Sequence, residues 1–380
     1  MAELRLGVVG TSRKPGERRL PLHPRQLDRI PADLRARIVL EEGYGVRYGV
    51  GDSDLAPLVD AMLPRAEVMA GSDIVLLPKP VLSDVAELSP GQVLWGWPHC
   101  VQDPALTQVA IDGRLTLIAW EAMNHWTNSG AFAVHVFHKN NELAGYCSVL
   151  HALAQVGRTG DYGRRLSAAV ISFGATARGA VTALRAMGIS AVDVLTQRDV
   201  AAVASPFPAV RMGHFERVEG DPARCVVLGD DGPQPMAEFL AEHDVVVNCV
   251  LQDPDAPLLF VTEENLPLFP PGRLIVDVSC DEGMGFSFAR ATTFAEPVFE
   301  VGAGVTYYGV DHSPSYLWDS ASWEISEALL PSLRAVLDGP AAWEADETLR
   351  RAVEISDGVV RNPKILSFQR RSADWPHRRS

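Results

Sequence analysis

Two short apolar runs that each end in a titratable side chain constrain what this chain can fold into. One occupies residues 73–79 and ends in Lys79, and the other occupies residues 92–99 and ends in His99. Runs of this length and composition are typical of buried strands, so each base is expected at a strand tip. Burial can bring the pKa of a lysine toward neutrality, whereas an arginine stays charged. The two runs therefore predict proton-transfer chemistry beside a sheet.

Apolar strands alternate with helical stretches in two successive layers. The predicted strands cover residues 4–9, 35–40, 73–79, 92–99 and 115–120 in the first layer and 167–171, 192–195, 226–228, 244–250 and 273–278 in the second. This alternation predicts an α/β fold with two Rossmann-like doubly wound domains and an interdomain cleft. A helix predicted over 320–337 returns to the first domain, which is then discontinuous. We therefore expect a substrate (catalytic) domain at 1–141 plus 316–380 and a dinucleotide-binding domain at 142–315.

Composition narrows the class of protein. The net charge of −14 argues against nucleic acid as a partner. No apolar run reaches the roughly 20 residues that a bilayer span needs, so no membrane partner is expected. Scattered cysteines and the lack of an evident signal peptide predict a cytoplasmic location. The histidines show no ligand spacing and predict no metal site, and a homodimer is the expected assembly.

A turn of small residues follows the predicted strand at 167–171 and leads into a helix. Gly174 and Ala177 fit the second and third positions of the dinucleotide pattern, while Ser172 stands where a glycine is usual. Small residues there let a pyrophosphate approach the helix N-terminus. An ordinary strand–helix turn is the alternative.

The tip of the next strand bears on the choice of cofactor. It carries Thr196 and Arg198, with Asp199 just beyond. Arginine suits a ribose phosphate, whereas NAD sites usually place an acidic residue at this tip. We therefore favour NADP(H) over NAD(H), with a solvated Arg198 and a ribose-binding Asp199 as the alternative.

Several motifs, taken in their order and spacing, resemble the alanine dehydrogenase superfamily. The segment 16–24, the Lys79 and His99 segments, and the segments 248–250, 276–281 and 310–315 carry the resemblance. Within the superfamily the pattern is most similar to saccharopine dehydrogenase and carboxyethylornithine synthase. Trp318-Asp319 departs from saccharopine dehydrogenase, which has Pro-Arg at that place. This departure removes a candidate carboxylate anchor and argues against saccharopine itself as the substrate.

The resemblance implies roles for individual residues. It implies that Lys79 and His99 are the catalytic acid–base groups, that Glu121 tunes both, and that Arg19 binds a substrate carboxylate. Asp281 would bind the substrate amino group or the nicotinamide ribose, with a structural turn as the alternative. The remaining residues expected at the cofactor are Cys249, Val250, Val278, Asp311 and His312. For Asp311 and His312, helix capping before Pro314 is the alternative.

The resemblance also implies a reaction. We expect an oxidoreductase that acts on CH–NH bonds and reductively condenses an amino acid with a 2-oxo acid, or runs the reverse. Reductive amination of a 2-oxo acid with ammonia is the second hypothesis, and a non-catalytic dinucleotide-binding protein is the third. The sequence names neither the amine nor the oxo acid, because specificity depends on the site rather than on the fold.

Two segments are expected to lack regular structure. Residues 122–141 are interpreted as a cleft-edge loop on the amine side. The basic C-terminal tail, which includes Arg371, is interpreted as solvated.

Overall fold

The chain consists of two compact α/β units. The computed structural model describes residues 3–197, 210–218, 220–229 and 232–379. Unit 1 comprises Met1–His138 and Trp318–Ser380, and unit 2 comprises Lys139–Leu317. The predicted α/β class, with two domains of which the first is discontinuous, is confirmed.

The strands and helices are numbered in chain order. The strands are β1 Leu6–Val8, β2 Ile38–Glu41, β3 Ala61–Leu63, β4 Ile74–Leu76, β5 Val93–Gly96, β6 Thr116–Ala119, β7 Asn124–Trp126, β8 Phe132–His135, β9 Ser167–Ile171, β10 Ala191–Thr196, β11 Arg211–Val218, β12 Asp221–Gly229, β13 Gly232–Pro235, β14 Val245–Asn248, β15 Leu259–Val261, β16 Leu274–Asp277, β17 Gly285–Phe286, β18 Val298–Val301, β19 Val305–Tyr308, β20 Val353–Ser356 and β21 Val359–Val360. The α-helices are α1 Ala32–Arg35, α2 Asp52–Leu55, α3 Arg65–Gly71, α4 Leu82–Val85, α5 Pro104–Asp112, α6 His138–Gln155, α7 Ala175–Ala186, α8 Met236–Ala241, α9 Trp318–Leu329, α10 Leu333–Asp338, α11 Pro340–Ala345, α12 Glu347–Ala352 and α13 Pro363–Phe368.

Unit 1 is built on an eight-stranded sheet in the order β21-β20-β6-β5-β4-β1-β2-β3. The six strands from β6 to β3 in this order run parallel, whereas β20 pairs antiparallel with β6. The residues of β4 are fully buried because apolar clusters cover both faces of the sheet. This burial explains why the strands read as continuous apolar runs rather than as alternating ones.

Unit 2 is built on a nine-stranded sheet in the order β13-β12-β11-β10-β9-β14-β16-β19-β18. The strands from β11 to β19 in this order are parallel, and β12, β13 and β18 add antiparallel edges. The alternation predicted from residue 167 onward therefore forms one doubly wound sheet. Four of its strands, β11, β13, β18 and β19, were not predicted.

Three interpretations of the sequence are corrected by the structure. The helix expected over 320–337 is broken into α9 and α10 by a 3-10 turn at Leu330–Ser332, because Pro331 cannot continue an α-helix. Residues 122–141 contain the hairpin β7–β8 instead of only a loop. Arg371 is buried rather than solvated, since its guanidinium donates to Gln108 and Gln369 and to two carbonyl groups.

Candidate active site

The three candidate catalytic side chains follow three neighbouring parallel strands. Lys79 lies just past β4, His99 just past β5, and Glu121 in the 3-10 turn Trp120–Ala122 after β6. Because β4, β5 and β6 are adjacent and parallel, their carboxyl ends meet at one edge of the unit 1 sheet. Ligands in folds of this kind bind at such an edge.

Glu121 holds the backbone of His99 in an unusual conformation. The φ angle of His99 is 49°, in the left-handed region that few residues other than glycine adopt. The backbone N–H of His99 donates to Glu121 Oε1 at 2.7 Å. The ring Nδ1 of His99 lies 3.9 Å from the same oxygen. Glu121 therefore fixes both the backbone and the electrostatic environment of this histidine.

The carboxyl group of Glu121 binds protons more strongly than an ordinary glutamate. Burial raises its pKa first, the nearby carboxyl of Glu354 raises it further, and Lys79 acts in the opposite direction. Its Oε2 atom is buried and has no hydrogen-bond partner among the described residues. The charge of Lys79 therefore acts on the Glu121 carboxyl, whereas the tuning of both bases by Glu121 stays a prediction.

The loop that carries Lys79 is held by close backbone contacts. Ser12 Oγ donates to the carbonyl of Lys79 at 3.0 Å. The buried Asp84 accepts from the backbone N–H of Val81 at 3.0 Å. A Cβ atom at Gly96 would lie 2.0 Å from the carbonyl oxygen of Leu77, so only glycine fits where β5 ends beside this loop.

Arg19, the predicted carboxylate anchor, already binds a carboxylate of its own chain. Its Nε donates to Glu17 Oε1 at 2.9 Å and its Nη2 to Glu17 Oε2 at 2.5 Å. The guanidinium also lies over the ring of Trp97, 5.2 Å from the centroid. Arg19 therefore has the two-pronged geometry that a carboxylate requires. Glu17 was missed by sequence reasoning, although its spacing of two residues from Arg19 was visible.

The β7–β8 hairpin contributes a neutral histidine beside the candidate site. Burial lowers the pKa of His135 to about 4. The N–H of Phe137 donates to its Nδ1 at 3.0 Å, so its Nε2 carries the proton and donates to the Glu121 carbonyl at 3.3 Å. His135 thereby fixes the turn that carries Glu121.

The chain departs from the saccharopine dehydrogenase pattern at Trp318 and Asp319. Both side chains make contacts within unit 1. Asp319 Oδ1 lies 2.9 Å from His23 Nε2. The ring of Trp318 packs edge-on against Tyr48 at 4.8 Å between centroids. These side chains line an open depression that Arg25 also borders. A carboxylate at position 319 makes this place unsuited to a second substrate carboxylate.

In unit 2, the predicted dinucleotide turn lies between β9 and α7. Ser172 has a φ angle of 93°, which explains why glycine is usual at this position. Gly174 is the N-cap of α7 and makes no side-chain cap, and a Cβ added to it would meet only Ser172 Oγ, at 4.0 Å. Ala177 is fully buried. An open, uncapped helix N-terminus with small residues fits a pyrophosphate group.

The helix that follows this turn packs unusually close to α6. A Cβ at Gly179 would lie 1.7 Å from the Glu142 carbonyl oxygen, and one at Gly145 would lie 2.0 Å from that of Thr176. Two facing glycines therefore let the α6 and α7 backbones touch and fix the position of the turn.

The loops after β14 and β16 are tied together by one buried carboxylate, Asp277. It accepts from Asn248 Nδ2 at 2.9 Å, from the N–H of Cys280 at 3.0 Å and from the hydroxyl of Tyr307 at 2.8 Å. Asn248 also accepts from the N–H of Val250 at 3.1 Å, and its carbonyl accepts from the N–H of Val278 at 3.0 Å. Asp277 and Tyr307 therefore brace residues that were predicted at the cofactor, although neither was singled out from sequence.

The remaining predicted residues fall in different environments. Thr196 ends β10 and is buried, and Arg198 lies outside the described residues.

Asp281 is half-buried. It follows Cys280, whose φ of 44° marks a sharp turn. His312 is buried, with its Nδ1 2.8 Å from Asp311 Oδ1. Cys249 donates its N–H to the carbonyl of Ile171 at 3.1 Å, at the end of β9.

Neither a bilayer-spanning helix nor a metal-binding cluster occurs in the part of the chain that the structure describes. No helix there is both long and apolar enough to cross a bilayer. No group of three or more His, Cys, Asp or Glu side chains there could hold a metal ion.

Comparison with known proteins places both units in one family. The model of the alanine dehydrogenase/PNT N-terminal domain matches residues 8–144, and that of the C-terminal domain matches residues 168–363. The N(5)-(carboxyethyl)ornithine synthase of Lactococcus lactis subsp. lactis is 26% identical over 339 residues, which cover 86% of this chain and 93% of that protein. The alanine dehydrogenase of Methanococcus maripaludis is 25% identical over 342 residues, which cover 83% and 86%.

Solved structures show the same fold. An L-alanine dehydrogenase aligns with a TM-score of 0.73 at 19% identity and covers 96% of this chain and 99% of that one. A transhydrogenase from Sinorhizobium meliloti aligns with a TM-score of 0.69 at 20% identity and covers 93% and 99%. The chain therefore belongs to the alanine dehydrogenase/PNT family, and its predicted class, an NAD(P)-dependent oxidoreductase acting on CH–NH bonds, is confirmed.

Proposed function

We propose that this protein reductively condenses an amino acid with a 2-oxo acid to give a secondary amine, or runs the reverse reaction. The observation that carries the proposal is the meeting of Lys79, His99 and Glu121 at the carboxyl edge of three adjacent strands in unit 1. Two bases and an acid of raised pKa at one sheet edge supply the proton transfers that imine formation needs.

The proton transfers can be assigned to the residues of unit 1. The amine adds to the carbonyl carbon of the oxo acid, and the resulting carbinolamine loses water to form an imine. Lys79 or His99 takes the amine proton and returns a proton to the departing hydroxyl. With a reduced nicotinamide dinucleotide bound in unit 2, hydride would be supplied to the imine carbon, and the imine would become a secondary amine. Glu121 keeps His99 in place through the hydrogen bond from its backbone N–H.

Arg19 is proposed to bind the carboxylate of a substrate. Its guanidinium fork is buried and already engaged with the Glu17 carboxylate. A substrate carboxylate would form the same pair of hydrogen bonds in place of Glu17. Replacing one carboxylate by another avoids leaving a buried guanidinium without a partner.

In unit 2, the residues at the sheet edge support dinucleotide binding. We propose that Ser172, Gly174 and Ala177 admit the pyrophosphate. The cofactor is proposed to be NADP(H) rather than NAD(H), because β10 ends in Thr196 rather than in a carboxylate. We also propose a homodimer, which sedimentation analysis would test.

The relatives favour two substrate classes. A relative named for carboxyethylornithine synthesis supports condensation with an amino acid, and one named for alanine dehydrogenation supports the use of ammonia. The first class is proposed because the carboxyethylornithine synthase has the higher identity of these two relatives and a larger share of its length is covered.

A substrate panel tests the proposal. Ornithine, lysine and other amino acids are each combined with pyruvate, glyoxylate or 2-oxoglutarate, and oxidation of NADPH and of NADH is followed together with the product mass. We expect NADPH oxidation that requires both an amino acid and an oxo acid. Oxidation with ammonia and an oxo acid alone would support the second function. Tight dinucleotide binding without turnover on any amine would contradict both.

A further inference from the structure

The loop that carries Lys79, residues 78–81, is restrained by its own sequence. Lys79 stands between Pro78 and Pro80, and both prolines are buried. A proline fixes its own φ angle and restricts the backbone of the residue before it. The carbonyl of Pro78 also accepts from the N–H of Trp97 at 2.9 Å, which ties the loop to the end of β5. The backbone of Lys79 therefore has few conformations available.

Ser12 restrains the same loop from the segment that follows β1. Its hydroxyl donates to the carbonyl of Lys79 at 3.0 Å and accepts from the N–H of Lys14 at 3.1 Å. A hydroxyl that both donates and accepts is fixed in direction. The segment of residues 10–12 is itself held by the buried Glu41 of β2, which accepts from two of its backbone N–H groups at 2.7 and 2.9 Å.

Asp84, in α4, joins the Lys79 loop to the segment after β1. Its carboxylate is 1% exposed. It accepts from the N–H of Val81 at 3.0 Å on one side and from the N–H of Arg13 at 3.3 Å on the other. Its charge is balanced by Arg65, whose Nη2 donates to Oδ1 at 2.7 Å. A carboxylate with a guanidinium and two backbone donors is well satisfied although it is buried.

Arg65 extends this connection to a second carboxylate. Its Nη1 donates to the carbonyl of Thr11 and, at 3.2 Å, to the Thr11 hydroxyl. Its Nε donates to Glu87 Oε2 at 3.3 Å, and Arg13 donates to the same carboxyl group. Two arginines and two carboxylates thus form an ion cluster without net charge. Among the described residues, Glu87 belongs to this cluster through the two arginines, whereas Asp84 also binds the backbone of the Lys79 loop.

We propose that Ser12 and Asp84 are positioning residues that hold the Lys79 loop for the proton transfers of the reaction. This inference rests on the proposed function, in which Lys79 is an acid–base group. Both side chains act through the backbone of residues 79–81, and therefore on the direction in which the Lys79 side chain leaves the loop. Proton transfer requires hydrogen-bond distance, so a small error in that direction lowers the rate.

Steady-state kinetics with the best substrate pair separates positioning from stability. Ser12→Ala and Asp84→Asn should each lower kcat by about tenfold while KM for both substrates stays within about twofold of wild type. Ser12→Thr, which keeps the hydroxyl, should restore kcat. Ser12→Ala leaves the ion cluster intact, so the test holds even if Asp84→Asn does not fold.

Two variants serve as matched controls. Ser83→Ala changes an exposed serine beside Asp84, and Glu87→Gln disturbs the ion cluster without removing a contact to the Lys79 loop. Both should keep the kcat of wild type. A kcat near that of wild type in Ser12→Ala, or an equal loss in Glu87→Gln, would overturn the positioning role.

NMR relaxation tests the same role without any substrate. The chain has four lysines, Lys14, Lys79, Lys139 and Lys364, so selective ¹⁵N labelling of lysine gives four backbone amide signals. The Lys79 signal is the one that is lost in Lys79→Met. We expect it to show larger picosecond-to-nanosecond motion in Ser12→Ala and in Asp84→Asn than in wild type, while the Lys364 signal stays unchanged.

The two measurements also separate this inference from the proposed function. Lys79 relaxation identical to that of wild type in Ser12→Ala would overturn the positioning role, whatever the substrate panel shows. Increased motion of Lys79 in a protein that turns over no amine would support the restraint by Ser12 and Asp84 and contradict the proposed function alone.

Discussion

Both units place a carboxyl group at the carboxyl edge of a parallel sheet, but they satisfy it differently. In unit 2, Asp277 accepts hydrogen bonds from Asn248, Tyr307 and the backbone of Cys280. In unit 1, Glu121 and Glu354 each keep a buried oxygen without a partner among the described residues. A carboxylate whose oxygens are satisfied fixes the loops around it, whereas the raised pKa of Glu121 suits an acid–base site.

We therefore expect the carboxyl group at the unit 2 edge to serve stability and the one at the unit 1 edge to serve turnover. Changes at the unit 2 edge should alter stability and dinucleotide binding and leave the pH dependence of turnover alone. Changes at the unit 1 edge should alter turnover and its pH dependence with little effect on stability.

The largest effect is expected at the two bases of unit 1. Lys79→Met and His99→Gln should each lower kcat by about a hundredfold or more, because each removes an acid–base group. Steady-state kinetics with the best substrate pair measures this. The matched controls are Lys364→Met and His125→Gln, two exposed residues of the same unit. Turnover near that of wild type in Lys79→Met or His99→Gln would remove that residue from the mechanism.

An intermediate effect is expected at Asp277 and concerns stability. Burial raises its pKa to about 6 in the folded chain. A group whose pKa is raised on folding contributes most at low pH and loses that contribution as pH rises through the folded value. Between about pH 4 and about pH 6, the unfolding free energy of wild type should therefore fall by about 3 kcal/mol relative to Asp277→Asn.

Chemical denaturation at several pH values measures this difference, with the exposed Glu264→Gln as the control. Asp277→Asn should also keep the pH profile of kcat/KM that wild type shows. A shift of that profile in Asp277→Asn, of the kind expected for a change at His99, would contradict the expectation that the unit 2 edge leaves the pH dependence of turnover alone.

The smallest effect is expected at the turn before α7. Ser172 has a φ of 93°, which costs a residue with a side chain roughly 1 to 3 kcal/mol. Ser172→Gly relieves this strain but increases the conformational freedom of the unfolded chain. We therefore expect the free energy of unfolding to rise by about 1 kcal/mol. Thermal or denaturant unfolding measures it. Ser190→Gly, at an exposed position without a positive φ, should give no gain, and a loss of stability in Ser172→Gly would show that the serine side chain is needed.

The sequence predicted those features that local patterns encode. Strand β9 was predicted with the observed bounds because five apolar or small residues precede a turn of small residues. Lys79 and His99 were predicted at strand tips because a buried parallel strand must end at the sheet edge, where polar residues become accessible.

The features that were missed depend on contacts between distant segments. Ser12 is 67 residues from Lys79 along the chain, and no local signal links them. The burial of Arg371 depends on acceptors at Pro104 and Gln108. Asp277 was visible within its motif, but its importance depends on Tyr307 and Asn248 on other strands. Pro331, in contrast, was a local signal that should have ended the predicted helix.

The most direct test of the central claim is to follow the hydride. NADPH that carries deuterium at the transferable C4 position is given to the enzyme with pyruvate and the amino acid that supports turnover, and the product is examined by mass spectrometry. We predict a secondary amine with one deuterium on the former carbonyl carbon of the oxo acid. A deuterated simple amino acid formed from ammonia, or a product without deuterium, would contradict the account.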